Sequence, residues 1–415
     1  MIKSVCILCK GSRDLCRKGR CELLDSINIR FPQARTDQRT KDLFGSSPPT
    51  LFVGRYGYPS VDIGPMLSRD PIPAAWRLNT PEYWYGRSIE EIITLRTELV
   101  RSRSRVNVRK PAGKILDVSQ ELAMSNRAVD TEVQFEKEIV LHPSLVVDAF
   151  APPRGPMVWI KHAELTENPR IPRKVDAIVG DTDARAVDGA SELYGSSIST
   201  YHLQRLLSAG LLGQKQKRRL VPTRWSITAM DDMIGKELMK QVRDFSELGE
   251  VLLYHGSYAG NHFHIIYIPR PWSFEMLETW LKGAFWAAQT ASFHDHEPFK
   301  GRTTYASRIT GAYYAARLSI LEHLIRLRRQ GTVIVNREIT EEYIAPLGVW
   351  VIRETVKRAL EGPPERPGSL ENALKLISGR VRKKNWVEFS ELLKEVRTQR
   401  RLDDFLGPGE GPHAP

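Results

Sequence analysis

The sequence lacks any hydrophobic run of the roughly 18 residues that a membrane-spanning helix needs. Residues 1–6 show neither the apolar stretch nor the small-residue cleavage site of a signal peptide. The chain also has no Gly-x-x-x-x-Gly-Lys-Ser/Thr phosphate loop and no Gly-x-Gly-x-x-Gly turn opening a helix. These absences predict a soluble cytoplasmic protein without a membrane partner, and they argue against an ATP-driven helicase or recombinase.

Cysteine is scarce, and the four cysteines of the 415-residue chain are confined to its start, at Cys6, Cys9, Cys16 and Cys21. Disulfides are unusual in a reducing compartment, and four cysteines so close in sequence favour a metal. Four thiolates fill the tetrahedral coordination of Zn²⁺, so the site would be structural. We therefore expect a zinc module over residues 1–29. An iron–sulfur cluster uses the same ligands, and four unrelated buried cysteines are the third interpretation.

Acidic residues are outnumbered, because 61 Lys and Arg face 49 Asp and Glu and leave a formal charge of +12. Such an excess attracts polyanions, and nucleic acid is the first partner to consider. A charged surface without such a partner is the alternative. Basic residues cluster between positions 101 and 109 and again at Lys215, Lys217, Arg218 and Arg219, which are the candidate DNA-binding residues.

The order of predicted elements indicates an α/β fold: a mixed α+β body with a helical C-terminal part, preceded by the small zinc module and followed by a disordered C-terminal tail. We expect a mixed α/β domain over residues 50–235, a hairpin plus helical domain over 236–397 and the tail over 398–415. The polar, turn-rich stretch from about residue 31 to residue 49 is predicted to be a linker.

Hydrophobic periodicity and turn residues give the main elements. A strand, glycine turn and strand are predicted over residues 52–64, an amphipathic helix over 88–101 and a β-hairpin over 252–269. The helices predicted beyond the hairpin span residues 273–292, 307–329, 345–360, 370–381 and 386–397.

Residues 193–228 follow the order of a winged helix that contacts DNA. A helix over 197–207 is followed by glycines, the basic loop and a strand-like segment at residues 224–227. The same order also arises by chance in mixed folds, so both interpretations stay open.

Three histidines of the predicted hairpin are candidate catalytic residues. Strand alternation places His262 and His264 on one face, and His255 on the preceding strand can approach them. Imidazoles arranged in this way bind a second divalent metal or act as acid and base on a phosphate ester. Residues 294–297, His-Asp-His-Glu, and the carboxylates of Asp181 and Asp183 are further candidate ligands. Hydrogen-bonded sheet histidines and a solvated acidic turn are the structural alternatives.

The segment from residue 399 to residue 406 has the pattern Gln, two residues, an apolar residue, two residues and two large apolar residues. In one helical turn Leu402, Phe405 and Leu406 project to one side, and Gln399 offers an amide to a separate pocket. The pattern resembles the PIP box with which DNA-replication and repair proteins bind the sliding clamp PCNA. Leu406 replaces the more common second aromatic residue. The frayed end of an amphipathic helix is the alternative.

The four-cysteine start, the mixed middle and the PIP box together resemble the archaeal NreA family of DNA-repair proteins. The resemblance extends over nearly the full length, and its distinctive stretches are residues 54–59, 220–228 and 311–317. It implies DNA-damage repair in association with PCNA and with the nucleoid, but no reaction. A clamp-docked DNA-binding adaptor and a metal-dependent nuclease or phosphoesterase therefore both remain hypotheses for the body.

Overall fold

The first half of the protein is built around a six-stranded sheet. A computed structural model describes residues 5–11, 13–19, 21–31, 39–69, 71–140 and 145–398. The strands of the first sheet are β1 (Arg39–Ser47), β2 (Leu51–Val53), β3 (Ser60–Ser68), β4 (Leu99–Asn107), β5 (Val129–Val140) and β6 (Met157–Leu165). Their order is β1-β5-β6-β4-β3-β2, and only β4 and β6 run parallel to each other.

The second half contains a five-stranded sheet. Its strands are β7 (Leu252–Tyr258), β8 (Asn261–Ile268), β9 (Ser273–Trp280), β10 (Ala291–Glu297) and β11 (Thr332–Ile339). The order is β10-β9-β11-β8-β7. The late strand β11 lies in the middle, antiparallel to β8 and parallel to β9. The mixed α/β fold is therefore confirmed, whereas the predicted helical C-terminal part is built on a sheet.

Helices cover both sheets. They are α1 (Val5–Cys9), α2 (Glu22–Arg30), α3 (Pro81–Trp84), α4 (Ile89–Thr97), α5 (Lys114–Met124), α6 (Arg173–Gly180), α7 (Ala186–Gly195), α8 (Thr200–Ser208), α9 (Thr223–Arg243), α10 (Gly311–Leu327), α11 (Trp350–Ala359), α12 (Leu370–Arg380) and α13 (Glu391–Thr398). No helix in these described ranges is long and apolar enough to span a lipid bilayer.

One continuous apolar core joins the two halves. It includes Ile7 from the cysteine segment, Val61 from the first sheet, Met230 from α9 and Phe263 from the second sheet, each at most 1% exposed. The opposite face of the second sheet packs against α12 and α13 and forms a separate cluster around Leu374. Burial of this apolar surface is the main stabilising contribution to the fold.

Local signals in the sequence predict several elements correctly. The helix predicted over residues 88–101 is α4 in its first part, whereas residues 99–101 belong to β4. A capping box starts α4: Ser88 Oγ accepts from Glu91 N at 3.1 Å, and Glu91 accepts from Ser88 N at 2.8 Å. The hairpin of β7 and β8 is also confirmed, with Ala259 and Gly260 at positive φ between the strands. Gly260 is required there because a Cβ would lie 2.4 Å from the nitrogen of Tyr343.

Three predictions of elements are wrong. The helix predicted over residues 273–292 is β9 and the start of β10, because pairing with β11 outweighs the helix-forming Glu, Met and Leu residues. The predicted linker contains β1, which pairs with β5. The strand predicted at residues 224–227 is the first turn of α9, so residues 193–228 as described lack the strand that a winged helix requires.

Candidate nucleic-acid interface and metal-ligating groups

The cysteine segment packs on the second half of the protein. Lys10 Nζ lies 3.8 Å from Glu278 Oε2, and Arg13 donates to the carbonyl of Ser307 at 3.3 Å. Cys6 and Cys9 lie in α1 and Cys21 precedes α2, and none of the four cysteines forms a disulfide. Within the described chain, no three of these sulfur atoms lie within 4.8 Å of one another.

The thiol of Cys6 nevertheless interacts electrostatically with the other three. Its pKa is raised by burial and then by the charges of Cys21, Cys16 and Cys9. Four neighbouring thiols that repel each other as thiolates form a donor set that a soft divalent cation neutralises. The residues therefore fit zinc, although binding would require the sulfurs to move closer together, and the zinc module stays a prediction.

The hairpin histidines line one open cleft of about 540 Å³. His264 faces His255 across the β7–β8 pair, with their Nδ1 atoms 2.7 Å apart, and His262 is at the rim of the same cleft. Glu365 Oε1 lies 2.8 Å from His255 Nε2 and also accepts from Arg380. A hydrogen bond between two imidazole nitrogens requires at least one neutral ring.

Burial keeps the hairpin pair neutral. It lowers the pKa of His264 to about 3, with a further contribution from His255, and it lowers the pKa of His255 as well. At neutral pH the rings therefore act as neutral hydrogen-bonding groups, and the low pKa of His264 makes this cleft a weak general base. Its catalytic role remains a prediction.

The only group of three potential ligands found within 4.8 Å of one another in the described chain is Glu275, His294 and His296. His294 and His296 lie on the same face of β10, and Glu275 is opposite His296 on β9. Asp295 and Glu297 point to the other face, where Asp295 accepts from the nitrogen of Ile309 at 2.7 Å and Glu297 pairs with Arg317. Strand alternation thus divides the four residues that sequence analysis grouped.

Glu275 is not among the candidate ligands that the sequence indicates, because its segment is predicted to be a helix. Its buried carboxylate accepts from the nitrogens of Glu391 and Leu392 at 2.9 and 3.2 Å and lies 3.2 Å from His294 Nδ1. The carboxylate therefore caps α13 and lies beside the ring of His294 at the same time. Two imidazoles and one carboxylate form a donor set typical of zinc or another first-row divalent ion.

The basic residues of the loop at 215–219 have two different roles. Arg218 donates to three backbone carbonyls, those of Gly213, Val179 and Asp181, at 2.6–2.9 Å. Arg218 therefore anchors the loop, whereas Lys215, Lys217 and Arg219 are exposed and available to a polyanion. In the other basic cluster, Arg101 is buried.

A groove of about 450 Å³ combines aromatic and basic side chains. The aromatic groove, as we name it, is lined by Arg13, Arg55, Phe150, Arg224, Trp225, Tyr305 and Tyr314, with Thr228, Ala229 and Asp232. Trp225 and Tyr305 are 48% and 47% exposed. Asp232 is the acidic lining residue, and its carboxylate pairs with Arg317 at 2.6 Å and Lys236 at 2.7 Å.

Several elements position the walls of the aromatic groove. Trp225 lies in the first turn of α9, whose start is fixed to β2 because Val53 N donates to Thr223 Oγ1 at 2.9 Å. Tyr58, 49% exposed, packs against Trp225 with ring centroids 5.9 Å apart. Tyr305 stacks on Tyr314 of α10 at 5.5 Å. The aromatic faces are thereby held at the surface by packed structure.

Comparison with known proteins gives the family. Residues 15–287 match the family described as "Archaeal Nre, N-terminal", and residues 297–405 match "Archaeal Nre, C-terminal". The chain is 38% identical to DNA repair protein NreA of Archaeoglobus fulgidus over 98% of this chain and 100% of the relative. It is 37% identical to DNA repair protein NreB of the same organism over 97% and 100%.

A third relative is DNA repair protein NreA of Haloferax volcanii, which is 36% identical over 83% of each chain. No solved structure matches the chain. The segment 399–406 that resembles a PIP box lies outside the described residues. Two family matches that together span most of the sequence, with relatives aligned over nearly their whole length, show that the chain belongs to the archaeal Nre family.

Proposed function

We propose that this protein is a DNA-repair factor that contacts DNA through the aromatic groove and docks on the sliding clamp PCNA through residues 399–406. The names of the relatives support the repair role. The observation that carries the DNA contact is the groove, in which exposed Trp225 and Tyr305 stand among Arg13, Arg55 and Arg224. The exposed residues Lys215, Lys217 and Arg219 add positive charge elsewhere on the surface.

The groove suits DNA because it combines exposed aromatic faces with guanidinium groups. Unpaired bases stack on exposed aromatic rings, and each stacked base contributes about 1–3 kcal/mol. Arginines along the same groove attract the phosphates between those bases, and this contribution weakens as the salt concentration rises, because the release of counterions then gains less entropy. The groove therefore favours single-stranded or unwound DNA over an intact duplex, whose bases are already stacked.

Trp225→Ala tests the groove. We expect fluorescence anisotropy with a labelled single strand to show affinity reduced about 5- to 100-fold, the loss of one stacked base. Trp76→Ala is the matched control, because Trp76 is also exposed, at 44%, but does not line the groove. Equal affinity of wild type and Trp225→Ala would contradict a groove contact.

The clamp contact is tested by changing the apolar anchors of the tail. Calorimetric titration of PCNA with the full chain should show binding to wild type and no measurable binding to Leu402→Ala/Phe405→Ala, because both anchors of the hydrophobic pocket are removed. Asp403→Ala/Asp404→Ala changes the intervening positions of the same tail and should retain affinity. Binding by the anchor variant would refute the PIP-box assignment.

A second candidate function is a metal-dependent nuclease or phosphoesterase, favoured by the grouping of Glu275, His294 and His296. Three protein ligands leave a coordination position for water, which a bound divalent ion would activate toward a phosphate ester. A nuclease screen with Mg²⁺, Mn²⁺ and Zn²⁺ should compare His294→Ala/His296→Ala with His262→Ala/His264→Ala. Activity lost in only one double variant would locate the reaction, and inactive wild type would exclude this candidate under these conditions.

A further inference from the structure

A second, deeper cavity lies between the first sheet and the helices that cover it. It has a volume of about 80 Å³, and its lining includes Phe52 of β2, Arg96 of α4, Arg154, and Arg205 of α8. Phe150 lines both this cavity and the aromatic groove. Because a water molecule needs about 10–15 Å³ by this measure, there is room for several waters or one small tetrahedral anion.

Three of the four arginines that line this cavity, Arg96, Arg154 and Arg205, have no carboxylate within ion-pair distance in the described structure, whereas the fourth, Arg353, pairs with Asp231. Arg96 is 1% exposed and donates to neutral acceptors, the carbonyls of Leu78 and Pro153 at 2.5 and 2.8 Å and Asn79 Oδ1 at 2.9 Å. Arg154 is 8% exposed, and its Nε has no hydrogen-bond partner.

Arg101 extends the same cationic cluster. Its guanidinium and that of Arg154 lie 4.4 and 4.3 Å from the centre of the Phe52 ring, and Arg101 Nε likewise has no partner. Burial, together with repulsion from Arg154, lowers the pKa of Arg96 and of Arg101 to about 9. Asp62 and Asp148 oppose this effect at Arg101 and Arg154 only in part. Buried charges of one sign without an ion-pair partner are rare in proteins, because their desolvation is then poorly compensated.

The other polar groups around the cavity are already engaged. Gln204 donates to Asp231 at 3.1 Å, Tyr201 donates to Glu354 at 2.7 Å, and Ser208 donates to the carbonyl of Val221 at 2.7 Å. The side chains that retain unused N–H groups are therefore arginines, including Arg205, whose Nε is also unpaired. Guanidinium groups match the oxygens of a phosphate in both geometry and charge.

We propose that this cavity binds a phosphate group, held by Arg96, Arg154 and Arg205, with Arg101 adding positive charge behind Phe52. The inference goes beyond the DNA contact proposed for the aromatic groove, since it concerns a separate enclosed site. Two sources supply the same chemistry: the terminal phosphate of a strand that enters past Phe150, or a free phosphate-bearing anion.

The test uses the full chain, purified without phosphate or sulfate. Thermal unfolding and calorimetric titration are followed with inorganic phosphate against chloride at equal ionic strength, and with one short single strand carrying either a 5′-phosphate or a 5′-hydroxyl. We expect phosphate to raise the Tm of wild type. Preference for the phosphorylated strand by about tenfold or more would assign the site to strand ends, and equal binding of both strands would assign it to a free anion.

Arg154→Met separates ligand binding from structural support. The variant should unfold at the same or a higher temperature without phosphate and lose the phosphate-dependent rise, because it removes an uncompensated charge. Arg218→Met is the control, since Arg218 holds three backbone carbonyls; it should unfold at a lower temperature and keep the phosphate response. The proposal is overturned if phosphate leaves wild type unchanged or if Arg154→Met keeps the full response.

Discussion

Two regions of this protein bury arginine, and they balance its charge differently. Around the second sheet the buried arginines are paired with carboxylates, in Arg317–Glu297, Arg337–Glu278 and Arg353–Asp231. Beside the first sheet, Arg96, Arg101 and Arg154 are also buried, but none of them has an ion-paired carboxylate among the described residues. Asp62 and Asp148 offset the charges of Arg101 and Arg154 only in part. The same residue type therefore serves the internal structure in one region and remains available to a ligand in the other.

The pKa of a buried arginine is shifted in opposite directions in the two regions, as Arg317 and Arg96 show. Burial acts to lower the pKa of Arg317, but the carboxylates of Glu297 and Asp232 outweigh it, so that the pKa lies above its ordinary value. For Arg96, burial is reinforced by Arg154 and no carboxylate opposes it. Burial alone therefore does not decide whether an arginine stabilises the fold, since the partner supplied by the chain decides it.

The largest effect is expected from breaking a pair in the second region. Asp231→Asn keeps the size of the side chain and its contact with Gln204, but removes the carboxylate that is ion-paired with the buried guanidinium of Arg353. We expect the free energy of unfolding, measured by urea titration, to fall by about 3–5 kcal/mol. Asp188→Asn, in the exposed Arg185–Asp188 pair, should change it little. Equal stability of Asp231→Asn and wild type would contradict the contrast.

Acidification should protonate the buried ring of His323 and so create a charge without a counter-charge in the second region. His323 accepts a hydrogen bond from Tyr267 at 2.9 Å or donates one to it, and burial, followed by Arg326, lowers its pKa from 6.5 to about 4. Between pH 6.5 and pH 4 the unfolded chain binds more protons at this histidine than the folded protein does. The contribution of neutral His323 to the free energy of unfolding is therefore fully present above pH 6.5 and is lost as the pH falls toward 4. The loss should reach about 3 kcal/mol. His323→Asn, which does not titrate, should show a smaller pH dependence in denaturation; an unchanged slope would assign it to other groups.

The smallest effect should come from the first region. Arg101→Met removes a buried charge without stranding a carboxylate, and we expect the free energy of unfolding to stay constant or rise by about 1 kcal/mol. Arg337→Met is the matched change in the second region, and it should be destabilising because the buried Glu278 loses its hydrogen-bonded guanidinium and keeps only Lys10, at 3.8 Å. If both substitutions destabilise equally, the two regions do not differ in the way proposed.

The sequence predicts those parts of the fold that local chemistry determines. The capping box at Ser88 and the glycine at position 260 act within a few residues, and α4 and the β7–β8 hairpin follow from them. β9 could not be predicted in this way. Its Glu275 and Glu278 suit a helix by propensity, and only their distant partners, the start of α13 and Arg337, make them acceptable in a buried strand.

The candidate sites show the same limit. The sequence groups residues 294–297 as candidate ligands, and only strand β10 of the structure separates His294 and His296 from Asp295. The sequence gives no indication that Glu275 lies beside the two histidines. The aromatic groove brings Arg13, Arg55, Trp225 and Tyr305 together from segments far apart in sequence. Whether an aromatic residue is exposed depends on the packing of several elements at once, so the groove appears only in the folded structure.

The position of β11 bears on how this protein can be divided. The first family match ends at residue 287, and the second begins at residue 297. Strand β11 belongs to the second match, yet it lies between β8 and β9, which belong to the first. A gene cut at that boundary would give a first product whose sheet lacks its middle strand and a second product with unpaired strand edges. The second sheet therefore needs both matched regions to be complete, and neither region should fold stably when it is produced alone.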